Sequence, residues 1–197
     1  MANGRKILVI DGHPDPESDH FCHALAQSYR QGAESGGHIV DVVRIADLDF
    51  PFLRSPKDYD TAPVPTSLDQ VTQEMLAADH VVLIYPLWLG TLPALTKAFL
   101  EQVFHRDTAF EPAEEGKWPK GRLTGKSARV IVTMGMPALA YRFWYGAHSL
   151  KSLERNILKF IGFKPVRDTI FGMVEAVSED KRKGWLKQVE DLGRQAV

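Results

Sequence analysis

The sequence predicts an α/β fold in which helices cover both faces of a parallel β-sheet. Short runs rich in valine and isoleucine recur without polar alternation, which is typical of parallel strands buried on both faces. Segments with apolar residues at helical spacing separate these runs, as crossover helices would. The chain has 197 residues, and we expect residues 1–197 to form a single domain.

Five apolar runs are the candidate strands, the last of them weaker than the others. They lie at residues 6–11, 38–44, 80–85, 128–133 and 166–174. Glycines interrupt the pattern at Gly12, after the first run, and at Gly36 and Gly37, before the second. The spacing of the runs leaves room for a helix between most of them.

The helical pattern predicts five helices, at residues 21–35, 68–78, 93–104, 150–161 and 178–196. Pro93 suits the first position of its helix, and Ser178 suits an N-cap followed by acidic residues. Residues 47–67 are rich in proline, so we expect a long loop there. Residues 105–126 fit neither pattern, and we expect an excursion that carries a turn or a hairpin.

Composition excludes several classes of protein. The 24 basic and 25 acidic residues give a net charge of −1, so general nucleic-acid binding is not expected. The one cysteine, Cys22, allows no internal disulfide, and His20 and His23 lack a suitable third metal ligand. No apolar run approaches the roughly 18 residues of a membrane span, nor does a signal peptide precede the first strand. We therefore expect a cytoplasmic protein without membrane insertion or bound metal.

The loop after the first strand is a candidate anion site, because ligands bind beyond the carboxyl ends of parallel strands. It lacks the GxGxxG pattern of dinucleotide-binding folds and the lysine of a P-loop, but it ends at a helix N-terminus. His13 and Ser18 have side chains that can donate hydrogen bonds to an anion. Alternatively, Ser18 or Asp19 merely caps the helix.

Two further loops follow the third and fourth strands. The apolar Leu87 and Trp88 suit a planar ring, or alternatively they cover a core edge or a subunit contact. The fourth strand leads to aromatic residues at 141–145 and to His148, which together form a candidate pocket wall. For Phe143 and Trp144 a core role is the alternative, and for His148 it is packing at a helix start.

Together these loops resemble the flavodoxin-like NAD(P)H:quinone oxidoreductases, which include the modulator-of-drug-activity type. The most specific part is residues 86–97, similar to the family pattern Pro-Leu-Trp-Trp-Gly-x-x-Pro-Ala-x-x-Lys. Supporting matches are Gly12-His13-Pro14 and Gly125-Lys126, and the resemblance extends from Lys6 to Glu175. It implies a three-layer flavodoxin-like sandwich around a five-stranded parallel sheet with strand order 2-1-3-4-5.

The resemblance also implies a bound flavin, for which we favour FMN over FAD. The phosphate would lie against His13, Ser18, Phe21 and Cys22. The ring would rest on Pro86, Leu87, Trp88 and Leu89, with backbone N–H groups of this segment reaching it, and its pyrimidine side would border Thr133, Met134, Gly135 and Met136. Tyr141 and His148 match the family's catalytic positions near the ring and the quinone oxygen, with Tyr145 competing for the role of Tyr141. The first loop is longer than in the family pattern, and Leu89 replaces the second tryptophan.

The implied activity is hydride transfer from NAD(P)H through the flavin to a quinone-like acceptor, in a ping-pong mechanism at one site. The resemblance further implies a C2 homodimer, for which residues 50–52, Trp118 and residues 104–105 are the candidate surface. Two alternatives belong to other classes of protein. One is an electron carrier like flavodoxin, and the other is an ancillary regulatory subunit of a potassium-efflux system.

Overall fold

The computed structural model describes residues 4–17, 19–112 and 119–197 of the chain. Its centre is a parallel sheet with the strand order β2-β1-β3-β4-β5. The strands are β1 (Lys6–Asp11), β2 (Ile39–Arg44), β3 (His80–Pro86), β4 (Ser127–Met134) and β5 (Val166–Gly172). The predicted flavodoxin-like topology is therefore confirmed, and each strand begins within one residue of its predicted start.

Seven helices are found in the described part of the chain. They are α1 (Phe21–Ser35), α2 (Pro56–Thr61), α3 (Asp69–Ala77), α4 (Ala94–Val103), α5 (Arg106–Ala109), α6 (His148–Ser152) and α7 (Glu179–Arg194). Short 3₁₀ turns lie at Ile45–Asp47 and Thr66–Leu68, and π-helical segments lie at Ala140–Trp144 and Leu153–Leu158. None of these helices is long and apolar enough to cross a bilayer.

The core consists of two apolar layers, one on each face of the sheet, because successive side chains of a strand point to opposite faces. Ile7 and Val9 of β1 share one layer with residues of α1 and α7. Leu8 and Ile10 share the other layer with residues of α3, α4 and the 150–161 region. All residues of β3 and β4 are buried, which explains their uninterrupted apolar runs.

Several local predictions need correction. The proline-rich stretch contains the helix α2, which Ser55 caps by accepting a hydrogen bond from Asp58 N at 3.2 Å. Pro93 is the N-cap residue of α4 rather than its first helical residue. The helix predicted from residue 150 starts at His148 and widens into a π-helix at Leu153. The spacing of apolar residues predicts neither side-chain caps nor the wider turns of a π-helix.

The excursion between α5 and β4 carries the expected antiparallel pairing. Phe110 and Gly121 form a β-bridge, and Glu111 N donates to Lys120 O at 2.9 Å. Trp118 lies outside the described residues. The surface role expected for residues 104–105 is wrong, because Phe104 and His105 are buried within the chain itself.

Candidate functional site

A cleft of about 690 Å³ opens at the carboxyl ends of β1, β3 and β4. This is the edge at which the strand order changes direction, between β1 and β3. Its volume is within the range typical of small-molecule and cofactor sites. The cleft is lined by His13, Asp19, His20, Phe21, Cys22, Ala24, Pro86, Leu87, Trp88, Thr133, Met134, Gly135, Val174, Glu175 and Arg182.

The cleft brings together most of the residues that sequence reasoning assigned to a cofactor. Those that line it are His13, Phe21, Cys22, Pro86, Leu87, Trp88, Thr133, Met134 and Gly135. Leu89, Met136, Tyr141 and His148 are not among the lining residues. Ser18 lies outside the described residues. Three loops that are far apart in sequence therefore meet, but the two catalytic candidates do not join them.

Gly12 fixes the direction in which the chain leaves β1. Its N–H donates to Ile84 O at 2.7 Å, and its carbonyl accepts the Thr96 hydroxyl at 2.7 Å. A Cβ at this position would lie only 2.7 Å from Ile84 O, so glycine is required by the close approach of β3. The next residue, His13, is thereby directed into the cleft.

Three histidines cluster at the phosphate end predicted for the cleft. The rings of His13 and His20 stack with centroids 3.8 Å apart, and His23 meets His13 edge-on at 5.4 Å. His13 Nδ1 accepts a hydrogen bond from Asp15 N at 3.2 Å, so the neutral ring carries its proton on Nε2. Burial, followed by the nearby His20, lowers the pKa of His13. His13 is therefore a neutral hydrogen-bond donor at pH 7.

The N-terminus of α1 forms one wall of the cleft. Its N-cap residue, His20, makes no side-chain capping hydrogen bond to the described residues. None of the four residues of the first turn is acidic. His23 N and Ala24 N donate to His20 O at 3.0 and 3.4 Å, so the N–H groups of Phe21 and Cys22 are those that the helix itself does not use. The helix dipole adds positive potential there. This wall is therefore suited to an anionic group.

Cys22 joins the start of α1 to the end of β4. Its Sγ lies 3.3 Å from Thr133 Oγ1, and its side chain is buried. Burial raises the pKa of the Cys22 thiol to about 12. The residue is therefore a protonated packing and hydrogen-bonding group, not a nucleophile.

The apolar loop after β3 is a tight turn. Trp88 N donates to Thr91 O at 2.9 Å and Thr91 N to Trp88 O at 3.0 Å, while Leu89 and Gly90 have φ of +47° and +80°. Positive φ at both central residues is the type I′ geometry of two-residue hairpin turns. Leu87 N donates to Thr133 O at 2.7 Å. The N–H groups of Leu87 and Trp88 are thus used within the protein, contrary to the expectation that they reach a ring.

The loop after β4 presents open backbone to the cleft at Gly135. Among the described residues, no atom lies within 4 Å of a Cβ built there. Met136 is held outside the lining, because its carbonyl accepts the Met173 N–H at 3.1 Å in the connection to β5. Met134 O accepts from Val174 N at 3.2 Å in the same connection.

Tyr141 and His148 occupy other positions. Tyr141 is buried, and its hydroxyl lies 2.7 Å from Ser149 Oγ and accepts from Leu150 N at 3.2 Å. It therefore packs under the start of α6. His148 is exposed, and the chain before it turns through left-handed residues at Gly146 and Ala147, with φ of +63° and +49°. These turns and the preceding π-helix direct both residues away from the cleft.

Sequence reasoning missed the wall of the cleft that the β5–α7 connection and the first turn of α7 form. Val174, Glu175 and Arg182 line the cleft from that side. Arg182 Nη1 donates to Val174 O at 3.2 Å and to Val177 O at 2.9 Å, which holds its cation beside the cleft. In the sequence Arg182 is one of three consecutive basic residues near a helix start. No spacing signal distinguishes it from its solvated neighbours.

The family of this chain follows from its similarity to known proteins. A family model described as "Flavodoxin-like fold" matches residues 5–192. The chain belongs to this flavodoxin-like family. It is 33% identical over 176 residues to FMN-dependent NADH:quinone oxidoreductase 1 of Hahella chejuensis, covering 82% of this chain and 81% of that protein.

Two other known proteins are similar to this chain over most of its length. An uncharacterized NAD(P)H oxidoreductase of Haemophilus influenzae is 25% identical over 184 residues, covering 91% of this chain and 90% of the relative. Among solved structures, an NAD(P)H:quinone oxidoreductase from Methanothermobacter marburgensis superposes with a TM-score of 0.81 at 20% identity. That match covers 98% of this chain and 96% of the other, and it supports the fold.

Proposed function

We propose that this chain is an FMN-dependent oxidoreductase that transfers two electrons from NAD(P)H to quinone-like acceptors. The names of the flavodoxin-like relatives, which include an FMN-dependent NADH:quinone oxidoreductase, support this proposal. So does the cleft, which combines a helix N-terminus, an apolar turn and an open strand end at one edge of the sheet. The whole chain acts as one flavin-binding domain in this proposal.

The chemistry of the cleft fits the parts of FMN. Among the lining residues, the first turn of α1, the Nε2–H of His13 and the cation of Arg182 suit a phosphate monoester. Pro86, Leu87 and Trp88 offer apolar surface to a flat ring, and Trp88 meets the His13 ring edge-on with centroids 5.7 Å apart. The single observation that carries the proposal is that these polar and apolar residues line one continuous cleft.

Bound FMN would supply the redox chemistry, which is to take a hydride from NAD(P)H and pass it on to the acceptor. The residues of this chain bind and orient the partners of that reaction. The open backbone at Gly135 leaves space against which the polar edge of the ring can lie. Thr133 and Cys22 hold the floor of the cleft together through their hydrogen bond. Donor and acceptor use the same face in turn, which makes the mechanism ping-pong.

The residues proposed as proton donors, Tyr141 and His148, do not line the cleft of their own chain. His148 and Tyr145 are exposed, with 55% of Tyr145 accessible to solvent. We therefore assign them to the cleft of a second copy in a C2 homodimer, where His148 would donate the proton and Tyr145 a hydrogen bond. Phe52, which is 55% exposed, belongs to the proposed dimer surface. The enzyme works in the cytoplasm, where NAD(P)H is available.

The purified protein tests the proposal directly. We expect it to be yellow, and we expect mass spectrometry of the released chromophore to identify FMN. It should oxidise NADH or NADPH continuously with a soluble quinone and elute as a dimer in size-exclusion chromatography. A colourless preparation that binds neither FMN nor riboflavin at micromolar concentration would overturn the proposal.

A further inference from the structure

A buried carboxylate lies directly behind the phosphate end of the cleft. Asp11 is the last residue of β1 and is 1% exposed. Its Oδ1 accepts the backbone N–H of His13 at 3.2 Å, and its Oδ2 forms a hydrogen bond with His23 Nδ1. Burying a carboxylate is costly without partners, and these two contacts offset that cost.

His23 connects that carboxylate to the loop that follows His13. Its Nε2 lies 3.2 Å from Asp15 O, and its side chain is 11% exposed. Asp15 N donates in turn to His13 Nδ1 at 3.2 Å. Asp15 is therefore held at its carbonyl by His23 and at its N–H by His13. A change in the position of His23 would therefore shift Asp15 and change the hydrogen bond that Asp15 N donates to the His13 ring.

A cation on the neighbouring strand completes the arrangement. Arg44 of β2 donates to Pro16 O at 2.7 Å, and its Nη2 lies 3.5 Å from His23 Nε2. Asp47 faces Arg44 at 3.7 Å, and His20 Nε2 lies 3.0 Å from the Asp15 carboxylate. The described residues of this loop form no regular secondary structure, so these side-chain hydrogen bonds and ion pairs fix it.

We propose that Asp11 and His23 are a positioning pair, which holds His13 in the orientation and tautomer needed to bind the phosphate of the flavin. The proposal rests on the proposed function and names how one end of that site is built. The pair does not touch the reacting atoms. Its role is to keep His13 Nδ1 as an acceptor for Asp15 N, so that the proton remains on Nε2.

Substitutions of His23 separate its two contacts. In His23→Asn the amide nitrogen can replace Nδ1 toward Asp11, while in His23→Leu both contacts are lost. We expect His23→Leu to weaken FMN binding about tenfold or more and His23→Asn to recover part of that loss. Riboflavin, which has no phosphate, should bind both variants within about threefold of the unsubstituted protein. Fluorescence titration measures all of these affinities.

His38 provides a matched control at the opposite end of the sheet. Its Nδ1 accepts from Arg5 N at 3.1 Å, and its Nε2 lies 3.2 Å from Arg194 O. His38→Leu also removes two ring hydrogen bonds, so it should lower the melting temperature but leave FMN affinity unchanged. A general loss of stability would thus be distinguished from an effect on the phosphate.

Nitrogen NMR of the histidine rings provides a second measurement that does not depend on activity. We expect the Nε2–H tautomer of His13 in the unsubstituted protein and a mixture of tautomers in His23→Asn. Should His23→Leu fail to fold, His23→Asn gives both readouts. Equal weakening of FMN and riboflavin, or FMN affinity within twofold in both variants, would overturn the positioning role. Loss of FMN binding in the unsubstituted protein would instead overturn the proposed function.

Discussion

The imidazole of His13 lies flat against that of His20, with ring centroids 3.8 Å apart and planes inclined by 20°. Two histidines in contact disfavour protonation of each other, because the second positive charge would lie beside the first. Burial acts in the same direction and is the larger cause of the lowered pKa of His13. Protonation of Nδ1 would also cost the hydrogen bond that it accepts from Asp15 N, so His13 should meet a phosphate as a neutral donor through Nε2.

The first prediction concerns the pH dependence of FMN affinity. Because the pKa of His13 is lowered and its Nδ1 accepts from Asp15 N, the ring should stay neutral in the FMN complex. The affinity for FMN relative to riboflavin should therefore gain nothing from His13 as the pH falls from 8 toward 6. The second ionisation of the phosphate, near pH 6, reduces the ligand's charge in the same range but acts equally on every variant.

His13→Gln is the control that isolates the imidazole. The amide can donate a hydrogen bond as Nε2 does but cannot gain a charge, so the pH profile of FMN affinity should be the same in His13→Gln as in the unsubstituted protein. Fluorescence titrations of both flavins at three pH values would compare the two profiles. An increase in FMN affinity at low pH that His13→Gln lacks would show that His13 takes up a proton and that its Nδ1 does not stay an acceptor.

The second prediction concerns the turn after β3. Leu89 has a left-handed backbone with φ of +47°, and its side chain is completely exposed. Left-handed backbone costs a leucine roughly 1–2 kcal/mol, whereas asparagine followed by glycine is the preferred pair for this turn. We expect Leu89→Asn to increase the free energy of unfolding by about 0.5–1 kcal/mol. FMN affinity should remain within twofold, because the side chain does not line the cleft.

Leu89→Val serves as the opposite control, since a β-branched residue is poorly tolerated at positive φ. It should lower the melting temperature and also leave FMN affinity unchanged. Thermal unfolding and flavin titration on the three proteins complete the comparison. If Leu89→Asn weakened FMN binding tenfold, the leucine side chain would have to contact the flavin after all.

The location of the cleft could be predicted from the sequence because two independent rules agree on it. Apolar runs such as residues 80–85 identify buried parallel strands, and ligands bind at the carboxyl ends of such strands. Thr133, Met134 and Gly135 follow directly from that reasoning, since they lie at the end of β4. The position of a residue at a strand end follows from the position of its strand in the sheet.

The rest could not be predicted because it depends on contacts between distant segments or on unusual turns. Arg182 lies in the first turn of α7, and two carbonyl groups of the β5–α7 connection, Val174 O and Val177 O, hold its side chain beside the cleft. No periodic pattern in the sequence predicts these contacts. Tyr141 lies on a π-helical segment, and one extra residue per turn changes which side chains face inward. The family motif assigns Tyr141 by its place in the sequence, whereas the structure directs its side chain under α6.

The third prediction separates Tyr141 from the exposed residues near it. Tyr141→Phe removes the oxygen that accepts the buried Leu150 N–H, which should cost about 1–3 kcal/mol of stability. Quinone turnover should stay within twofold, because the hydroxyl is engaged under α6. His148→Gln should have the reverse effect, with the melting temperature unchanged and kcat for the quinone lowered at least about tenfold.

Steady-state kinetics and thermal unfolding of these two variants test the assignment, with Tyr145→Phe as a further comparison. Tyr145 is exposed, so its variant should keep full stability. A tenfold loss of kcat in Tyr141→Phe at unchanged melting temperature would return the catalytic role to Tyr141. Unchanged kcat in His148→Gln would remove His148 as the proton donor.

The last prediction contrasts two glycines that differ in their surroundings. A Cβ on Gly12 would lie 2.7 Å from Ile84 O and 3.1 Å from Thr96 Cγ2, and backbone oxygen cannot move aside without displacing β3. We expect Gly12→Ala to destabilise the protein by about 1–3 kcal/mol and to weaken FMN binding, because His13 directly follows the displaced residue. Thermal unfolding and flavin titration would measure both effects.

Gly184, within α7, is the matched control. No atom outside its own helix lies within 4 Å of a Cβ built there, among the described residues. Gly184→Ala should therefore stabilise the protein by about 0.5–1 kcal/mol, because alanine restricts the unfolded chain and suits a helix interior. FMN affinity should not change. If Gly12→Ala were as well tolerated as Gly184→Ala, β1 and β3 would not approach as closely at this edge, and Gly12 would not fix the direction of His13.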